Sequence, residues 1–420
     1  MKGAGLSITA SWLASSLILL PGCQGPPPLL SGVVAEEACS DPSRVTHSVF
    51  LIGDAGDVLV RGADDPPGTF PDPVLKSLSH HVQLAVAELG VEQVAVVYLG
   101  DNVYPKGLYP VGHSDRKRGE AILMAQIEAA APARAIFTAG NHDWQREGGE
   151  GWQNVTAQDE FLSGLGPDVA MLPPGGCAGP VTVDFGRHLR FVFIDVIGYV
   201  HMIEHGEQHK GRCPYSELSL AVGALADEFE ARHGRHVVLA LHHPLLSAGP
   251  HGGHFTLRQH LFPFTDFVSW LWLPLPVIGS IYPISRQLGV TGTDTTNSLY
   301  MAYVRGIYRA STSWSPLLIA AGHEHSLQVH RDLLGLYYLV SGAGSVSKVD
   351  RVHEMDTLMM AAARPGFMQL NAFESGSLDL TVHALDDAFI WDDILGLDGE
   401  PTERIFHHCV ATGPQKGQRP

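Results

Sequence analysis

The sequence predicts a fold that mixes α-helices and β-strands, α/β in the broad sense that includes α+β. One large domain that carries one insertion forms this fold. Short runs rich in Val, Ile, Leu and Phe recur from residue 48 onward, and each ends in a cluster of Gly and polar residues. Buried strands that lead into loops have this pattern. Helical patterns at 73–89 and 115–131 separate the early runs, and such alternation favours α/β layers. The predicted strands are 47–52, 94–99, 135–139, 190–196, 236–241, 317–321 and 336–340.

The last apolar segment predicts where the domain ends. Residues 366–385 alternate apolar and polar side chains, which is typical of an antiparallel hairpin that finishes a sheet. We therefore expect the domain to span 47–390 and a C-terminal tail to follow over 391–420.

The insertion is expected over 247–315, and its middle, 261–288, is strongly apolar. Its several prolines would break any helix that spans a membrane. Two interpretations remain open for this segment. It forms a lid or subdomain that packs on the core, or it presents a patch to a membrane surface, as Trp270 and Trp272 beside Leu and Phe would suit.

The composition excludes some classes of partner. The chain has 420 residues, 45% of them hydrophobic, which is ample for a sizeable core. A formal net charge of −17 argues against a nucleic-acid binder, because counterion release needs clustered Lys and Arg. A small anionic substrate stays compatible with this charge, since bound metal cations dominate their local field.

The N-terminus has the layout of an export signal over residues 1–22. A basic start at Lys2 precedes an apolar stretch over 6–20, which is too short and interrupted to be a good spanning helix. The sequence Leu20-Pro21-Gly22-Cys23 then resembles the lipobox of bacterial lipoproteins, in which the Cys is acylated. We expect a lipid anchor at Cys23, a tether over 23–46 and a place in the bacterial cell envelope, at the outer membrane or the periplasmic face. An ordinary cleaved signal is the alternative.

Four cysteines remain when Cys23 is set aside, an even number in a chain that is expected to leave the cytoplasm. They allow three pairings. We favour Cys39 with Cys409, which joins the two ends of the domain, and Cys177 with Cys213.

Five short motifs, each after an apolar run, supply side chains that bind metal ions. Carboxylate, carboxamide and imidazole groups just past successive buried strands should collect at one edge of a sheet, where α/β folds build active sites. Mixed oxygen and nitrogen donors suit iron, zinc or manganese rather than calcium. The motifs are Gly53-Asp54-Ala55-Gly56, Gly100-Asp101-Asn102-Val103-Tyr104, Gly140-Asn141-His142-Asp143, Leu241-His242-His243-Pro244 and Gly322-His323-Glu324-His325.

In this order the motifs resemble those of the calcineurin-like metallophosphoesterase superfamily, over residues 48–345 apart from the insertion. The resemblance implies a four-layer αββα sandwich. Two positions resemble the purple acid phosphatase branch, in particular the small tartrate-resistant type. Most of the superfamily has a His where this chain has Gly56, and purple acid phosphatases use a Tyr at the position of Tyr104 as the phenolate ligand of ferric iron.

The resemblance implies two metal ions, iron with a second iron, zinc or manganese, and it assigns their ligands by position. Asp143 is expected to orient a neighbouring group, and His243 to face substrate or support the ligands. The alternative that His242 and His243 exchange roles stays open. The first ion would be held by Asp54, Asp101, Tyr104 and His325, and the second by Asp101, Asn141, His242 and His323.

The implied activity is hydrolysis of a small phosphate mono- or diester by hydroxide that the metal pair activates. His142 is the implied donor of a proton to the leaving group. His243, His251 and His254 are further candidates to contact phosphate. Two alternatives remain: a hydrolase of lipid-linked or membrane phosphates, and a non-catalytic surface lipoprotein that binds metal or phosphate.

Overall fold

A computed structural model gives the structure of the chain. It describes residues 38–41, 43–58, 72–145, 151–204, 211–215, 217–253, 255, 257–266, 271–275, 277–281, 284, 298–313, 318–385 and 402–412. The predicted signal, Cys23 and most of the tether lie outside these residues, and so do Trp270 and His254.

One seven-stranded sheet contains the first four strands and the last three, in the order β14-β13-β12-β1-β2-β3-β4. Strands β1 to β4 run parallel, and β12 joins β1 antiparallel, with Val49 opposite Leu370. The strands are β1 Val45–Ile52, β2 Val94–Tyr98, β3 Arg134–Phe137, β4 Val169–Met171, β12 Gly366–Phe373, β13 Leu378–Leu385 and β14 Thr402–Ala411.

The second seven-stranded sheet has the order β11-β9-β10-β8-β7-β6-β5. Its four central strands β10, β8, β7 and β6 are parallel, and β5, β9 and β11 join antiparallel. The strands are β5 Val181–Phe185, β6 Leu189–Phe193, β7 His236–Ala240, β8 Leu318–Ala321, β9 Leu327–Arg331, β10 Tyr337–Ser341 and β11 Leu358–Ala362.

The two sheets pack face to face, and helices cover both outer faces. An apolar layer that includes Val49, Val97, Phe191 and Leu339 fills the space between the sheets. Helices α1 and α2 cover the first sheet, and α5 and α7 cover the second. This is the predicted α/β fold with the four-layer αββα arrangement. The helices are α1 Pro73–Leu89, α2 Arg116–Ala130, α3 Gly151–Ser163, α4 Val196–Glu204, α5 Leu218–Glu230, α6 Leu257–Leu261 and α7 Ser298–Ser313.

Strand β1 shows why the central strands are continuous apolar runs in the sequence. Val49 and Leu51 enter the layer between the sheets, while Phe50 and Ile52 pack under the helices, so every side chain in this stretch is buried. Parallel strands that are covered on both faces have no side that faces solvent, so their residues are apolar on both faces.

Helix α1 begins and ends where its sequence predicts. The Asp72 carboxylate accepts hydrogen bonds from the amides of Val74 (3.0 Å) and Leu75 (3.2 Å), and Pro73 occupies the first helical position. Such a cap satisfies donors that have no partner inside the helix. Gly90, with a φ of 97°, ends the helix.

The predicted strands are confirmed to within a few residues, and 366–385 forms the predicted hairpin of β12 and β13. The largest difference is at the run 190–196, where β6 stops at Phe193 and Val196 already begins helix α4. The tail predicted over 391–420 contains β14, which pairs with β13 and extends the first sheet past residue 390.

Both favoured disulfides are present. Cys39 joins Cys409 across 370 positions of sequence, and Cys177 joins Cys213. Disulfides form and persist in oxidising compartments, so they indicate an exported protein. Among the described helices, none is both long and apolar enough to cross a membrane.

Candidate metal centre

The ends of parallel strands from both sheets meet at one edge of the sandwich. Asp54 follows β1, Asp101 follows β2 and Asn141 lies beyond β3. From the second sheet, His242 follows β7, and His323 and His325 follow β8. The amide of His323 donates to Asp54 Oδ2 (2.7 Å), which ties the two sheets together at this edge. All seven predicted ligands, Tyr104 included, therefore come to one place.

The hydroxyl oxygen of Tyr104 lies at the centre of the first group of metal-ligating side chains. This oxygen lies 3.0 Å from Asp54 Oδ1, 3.0 Å from Asp101 Oδ2 and 3.1 Å from His325 Nε2. His325 Nε2 is also 3.4 Å from Asp54 Oδ1. Two carboxylates, a phenol and an imidazole thus lie around a common volume.

The Nε2 atom of His242 lies at the centre of the second group of metal-ligating side chains. This atom lies 3.1 Å from Asn141 Oδ1, 3.2 Å from His323 Nδ1 and 3.4 Å from Asp101 Oδ1. The Nδ1 atom of His242 is 2.8 Å from the carbonyl of Leu99, which can only accept, so Nδ1 carries the proton and Nε2 presents its lone pair to the group. His243 packs beside it, with ring centroids 4.9 Å from His242 and 4.3 Å from His323.

Asp101 connects the two groups with one oxygen in each. Its Oδ2 contacts Tyr104 and its Oδ1 faces His242, while the amide of His142 donates to Oδ1 (2.8 Å). A carboxylate that divides its oxygens in this way has the geometry of a bridging ligand in a two-metal site.

Burial and neighbouring charges shift the pKa values around the centre. Burial, helped by the charges of Asp101 and Asp54, raises the pKa of the Tyr104 phenol well above its usual value. Burial together with the neighbouring histidines lowers the pKa of His323 well below its usual value. An imidazole that stays neutral keeps the lone pair that a metal ion needs.

The donor set fits metal cations. Asp54 and Asp101 are each only 2% exposed and lie against the same phenol oxygen, so their negative charges are concentrated in a small buried volume. Two buried negative charges so close together are costly, and a cation between the carboxylates offsets that cost. Oxygen and imidazole ligands together suit iron, zinc or manganese.

Gly56 has no room for a side chain. A Cβ at this position would lie 2.5 Å from the carbonyl oxygen of Asp101 and 2.5 Å from the amide nitrogen of Val103. The close approach lets the amide of Tyr104 donate to the carbonyl of Gly56 (3.1 Å). The loop that carries Tyr104 therefore occupies the space that a side chain of residue 56 would need.

Three of the donor residues have left-handed backbone conformations. The φ angles are 59° at Asp54, 56° at Asp101 and 68° at His323. Side chains other than Gly rarely adopt this region, and its use at functional sites indicates that the surrounding structure enforces it. The bond from the Asp54 amide to the carbonyl of Gly100 (2.9 Å) is one such constraint.

Asp143 lies behind the donors and holds their loops. Its carboxylate accepts from the amides of Gly140 (2.8 Å), Asn102 (3.1 Å) and Val103 (3.2 Å), and from the Asn102 side chain (3.0 Å). Burial, and next the charge of Asp101, raise its pKa to about 7. The loops after β2 and β3 are thus joined to each other through the Asp143 side chain.

His142 lies at the open side of the centre. Its Nδ1 is 2.8 Å from the carbonyl of Pro105, so Nδ1 carries a proton, and its Nε2 lies 3.9 Å from Asp101 Oδ2. The ring packs on Tyr104 with centroids 4.2 Å apart. Nε2 is therefore the atom directed at the centre.

The structure adds residues to the site that were not among the predicted ones. A cavity of about 170 Å³ opens beside the first group of donors, and its wall includes the segment that follows β10. That segment begins with a Gly-rich cluster after an apolar run, which is the pattern of the other five motifs, so a signal for it was present. The lining residues are Asp54, Asp57, Tyr104, His142, His325, Gly342, Ser345, Ser347 and Lys348.

No protein-family model matches this chain, and no curated protein matches it significantly in sequence. Solved structures do match. GAP50, described as the anchor in the inner membrane complex of Plasmodium, is 14% identical with a TM-score of 0.50, covering 89% of this chain and 91% of that chain.

Two phosphatases also match, both with TM-scores below 0.5. A purple acid phosphatase, PPD1 from yellow lupin (Lupinus luteus) seeds, is 14% identical with a TM-score of 0.48, covering 87% of this chain and 54% of that chain. A dimetal phosphatase from Danio rerio is 13% identical with a TM-score of 0.41, covering 87% of this chain and 99% of that chain. At such identities these likenesses concern the fold alone.

Proposed function

We propose that the chain hydrolyses phosphate esters with two metal ions held where the two sheets meet. The observation that carries the proposal is the division of Asp101 between two donor groups, each completed by imidazole and a further oxygen ligand. The first ion is assigned to Asp54, Asp101, Tyr104 and His325. The second is assigned to Asp101, Asn141, His242 and His323. We assign a purple acid phosphatase-like centre, iron with a second iron, zinc or manganese, because Tyr104 lies in the first group.

When bound, the two cations would acidify water and neutralise charge that develops on the phosphoryl oxygens. The chain itself supplies the shape and the remaining charge. The cavity beside Tyr104 accepts the ester, and Lys348 at its wall brings a positive charge toward an anionic substrate. No protein nucleophile is required.

His142 supplies the proton that the leaving oxygen needs. Because Nδ1 is committed to the carbonyl of Pro105, a proton on Nε2 belongs to the imidazolium form, and Nε2 faces the centre. An alkoxide is a poor leaving group without this proton, whereas an acidic phenol leaves well without it. Hydrolysis of alkyl esters therefore depends most on His142.

The first prediction concerns turnover. With iron, zinc or manganese added, the purified protein should release phosphate or alcohol from aryl phosphate mono- or diesters, and Asn141→Ala should lower kcat/KM at least about 100-fold. Steady-state assays and elemental analysis measure the two effects. Asn371→Ala, in β12, is the matched control and should leave activity unchanged. Metal occupancy without any turnover would instead favour the non-catalytic alternative.

The second prediction concerns His142. His142→Asn should lower kcat for an alkyl phosphate roughly 100-fold and lower that for p-nitrophenyl phosphate much less, because only the alkyl ester needs the proton. Both rates are measured on the same metal-loaded protein, with His80→Asn on the exposed side of α1 as the control. Equal losses for the two esters would count against the assigned role.

The third prediction concerns the metal that contacts Tyr104. Iron-loaded protein should show a visible absorption band from a ferric phenolate, and Tyr104→Phe should remove it. Tyr109→Phe, in the same loop, should retain the band. Colourless active protein that contains only zinc or manganese would refute the purple-type assignment and leave the two-metal proposal in place.

A second candidate, favoured by the apolar insertion, is action on lipid-linked or membrane phosphates. Several described side chains of the insertion are exposed, among them Trp272 (52%), Val277 (84%) and Ile281 (65%). The guanidinium of Arg258 lies 5.0 Å from the Trp272 ring, which places a positive charge beside the apolar side chains. We propose that this insertion surface rests on the membrane of a bacterial cell envelope to which a lipid at Cys23 anchors the chain.

The fourth prediction tests the insertion surface without the lipid. In a Cys23→Ser background, the protein should bind anionic phospholipid vesicles, and Trp272→Ser with Ile281→Ser should weaken binding about tenfold or more, since apolar area is lost. Sedimentation with vesicles measures binding, and p-nitrophenyl phosphate hydrolysis should not change. Leu333→Ser with Leu334→Ser, in the exposed turn before β10, is the matched control. Equal weakening by both pairs would argue against a specific membrane surface.

A further inference from the structure

A separate group of metal-ligating side chains lies beside the candidate metal centre. His251, Glu324 and Asp350 each offer one ligand atom, and these atoms lie within 4.8 Å of one another. His251 belongs to the short turn of helix Pro250–Gly252 at the start of the insertion. Glu324 stands between His323 and His325, and Asp350 lies beyond β10. These side chains are not among the ligands assigned to the two-metal centre.

Glu324 is fully buried, which is unusual for a carboxylate. Its Oε2 accepts from the Ser247 hydroxyl (2.9 Å) and from the amide of His251 (3.0 Å). Its Oε1 is buried and has no hydrogen-bond partner among the described residues. One oxygen of the carboxylate is therefore held in place, and the other is available to a ligand.

The position of Glu324 is fixed by close packing. A Cβ at Gly249 would lie 2.2 Å from its carboxyl carbon, so a side chain at this position would displace the carboxylate. Ser247, which donates to Glu324, is itself contacted by the side chain of Gln328 (3.4 Å). A carboxylate that is held this firmly does not need to lose rotamer freedom when it binds a cation.

Asp350 brings a second carboxylate to the same place. Its backbone amide donates to the carbonyl of His325 (2.7 Å), and its Oδ2 lies 3.3 Å from His325 Nδ1. The carboxylates of Glu324 and Asp350 are therefore neighbours, one fully buried and the other partly exposed. A cation between them would offset their mutual repulsion.

We propose that His251, Glu324 and Asp350 bind a third divalent cation next to the two-metal centre. Two carboxylates and one neutral imidazole carry a charge of −2 when ionised, which one divalent cation balances, and this mixed donor set suits manganese or zinc. The site shares no ligand with the two-metal centre. It contacts that centre through Asp350 at His325 and through the His251 ring, whose centroid lies 4.0 Å from that of His323.

The test counts and locates manganese in the full-length protein. After loading with Mn²⁺ and removal of free metal, elemental analysis should give three ions per chain, and anomalous diffraction should place one of them between His251, Glu324 and Asp350. Glu324→Gln, which keeps the shape and removes the charge, should reduce the count to two and remove only that peak. Glu228→Gln, on α5, is the matched control and should keep three.

A second variant is needed because Glu324 lies between two assigned ligands, so Glu324→Gln could also change metal binding at the two-metal centre. His251→Ala, in the loop, should also reduce the count from three to two, with both peaks of the two-metal centre kept. A wild-type count of two, with both ions at that centre, would overturn the proposal, and so would a third ion elsewhere. An ion at His251, Glu324 and Asp350 in a protein without phosphatase activity would support this site while the proposed hydrolysis fails.

Discussion

The close approach of Asp54 and Asp101 is the interaction on which the rest of the site depends. Both carboxylates are 2% exposed and contact the same phenol oxygen, so their repulsion is not relieved by water. The amide of His323 on Asp54 and the amide of His142 on Asp101 offset part of that repulsion. The bond from His323 to Asp54 also joins the two sheets, because the two residues follow strands of different sheets. One hydrogen bond thus both aligns the sheets and stabilises a charge of the site.

The sequence was informative wherever a local signal and the tertiary structure agree. Helix α1 was bounded correctly because Asp72, Pro73 and Gly90 act within a few residues. The end of β6 was misplaced because the apolar run continues from the strand into buried residues of α4, and hydrophobicity alone does not separate the two. Strand β14 was missed because its charged and apolar residues gain a pattern only through pairing with β13, which lies earlier in the chain.

The same distinction applies to the site. The assigned ligands could be predicted because they lie in five ordered motifs, each a few residues past a buried strand. Glu324 could not, because between two histidines it resembles a spacer, and only the approach of Gly249 and Ser247 shows it to be enclosed. Lys348 and Asp350 lie several residues past β10, so the path of the loop decides whether they reach the centre.

The Cys39–Cys409 disulfide also has a mechanical consequence. Cys39 precedes β1, and Cys409 lies in β14 at the outer edge of the first sheet, so the bond fastens the start of the domain to its last strand. If the proposed lipid holds Cys23, the sixteen residues to Cys39 can span roughly 55 Å at most. A pull on Cys23 would pass through a covalent bond into β14 as well as into β1. Force would then be shared between two strands of one sheet, β1 inside it and β14 at its edge.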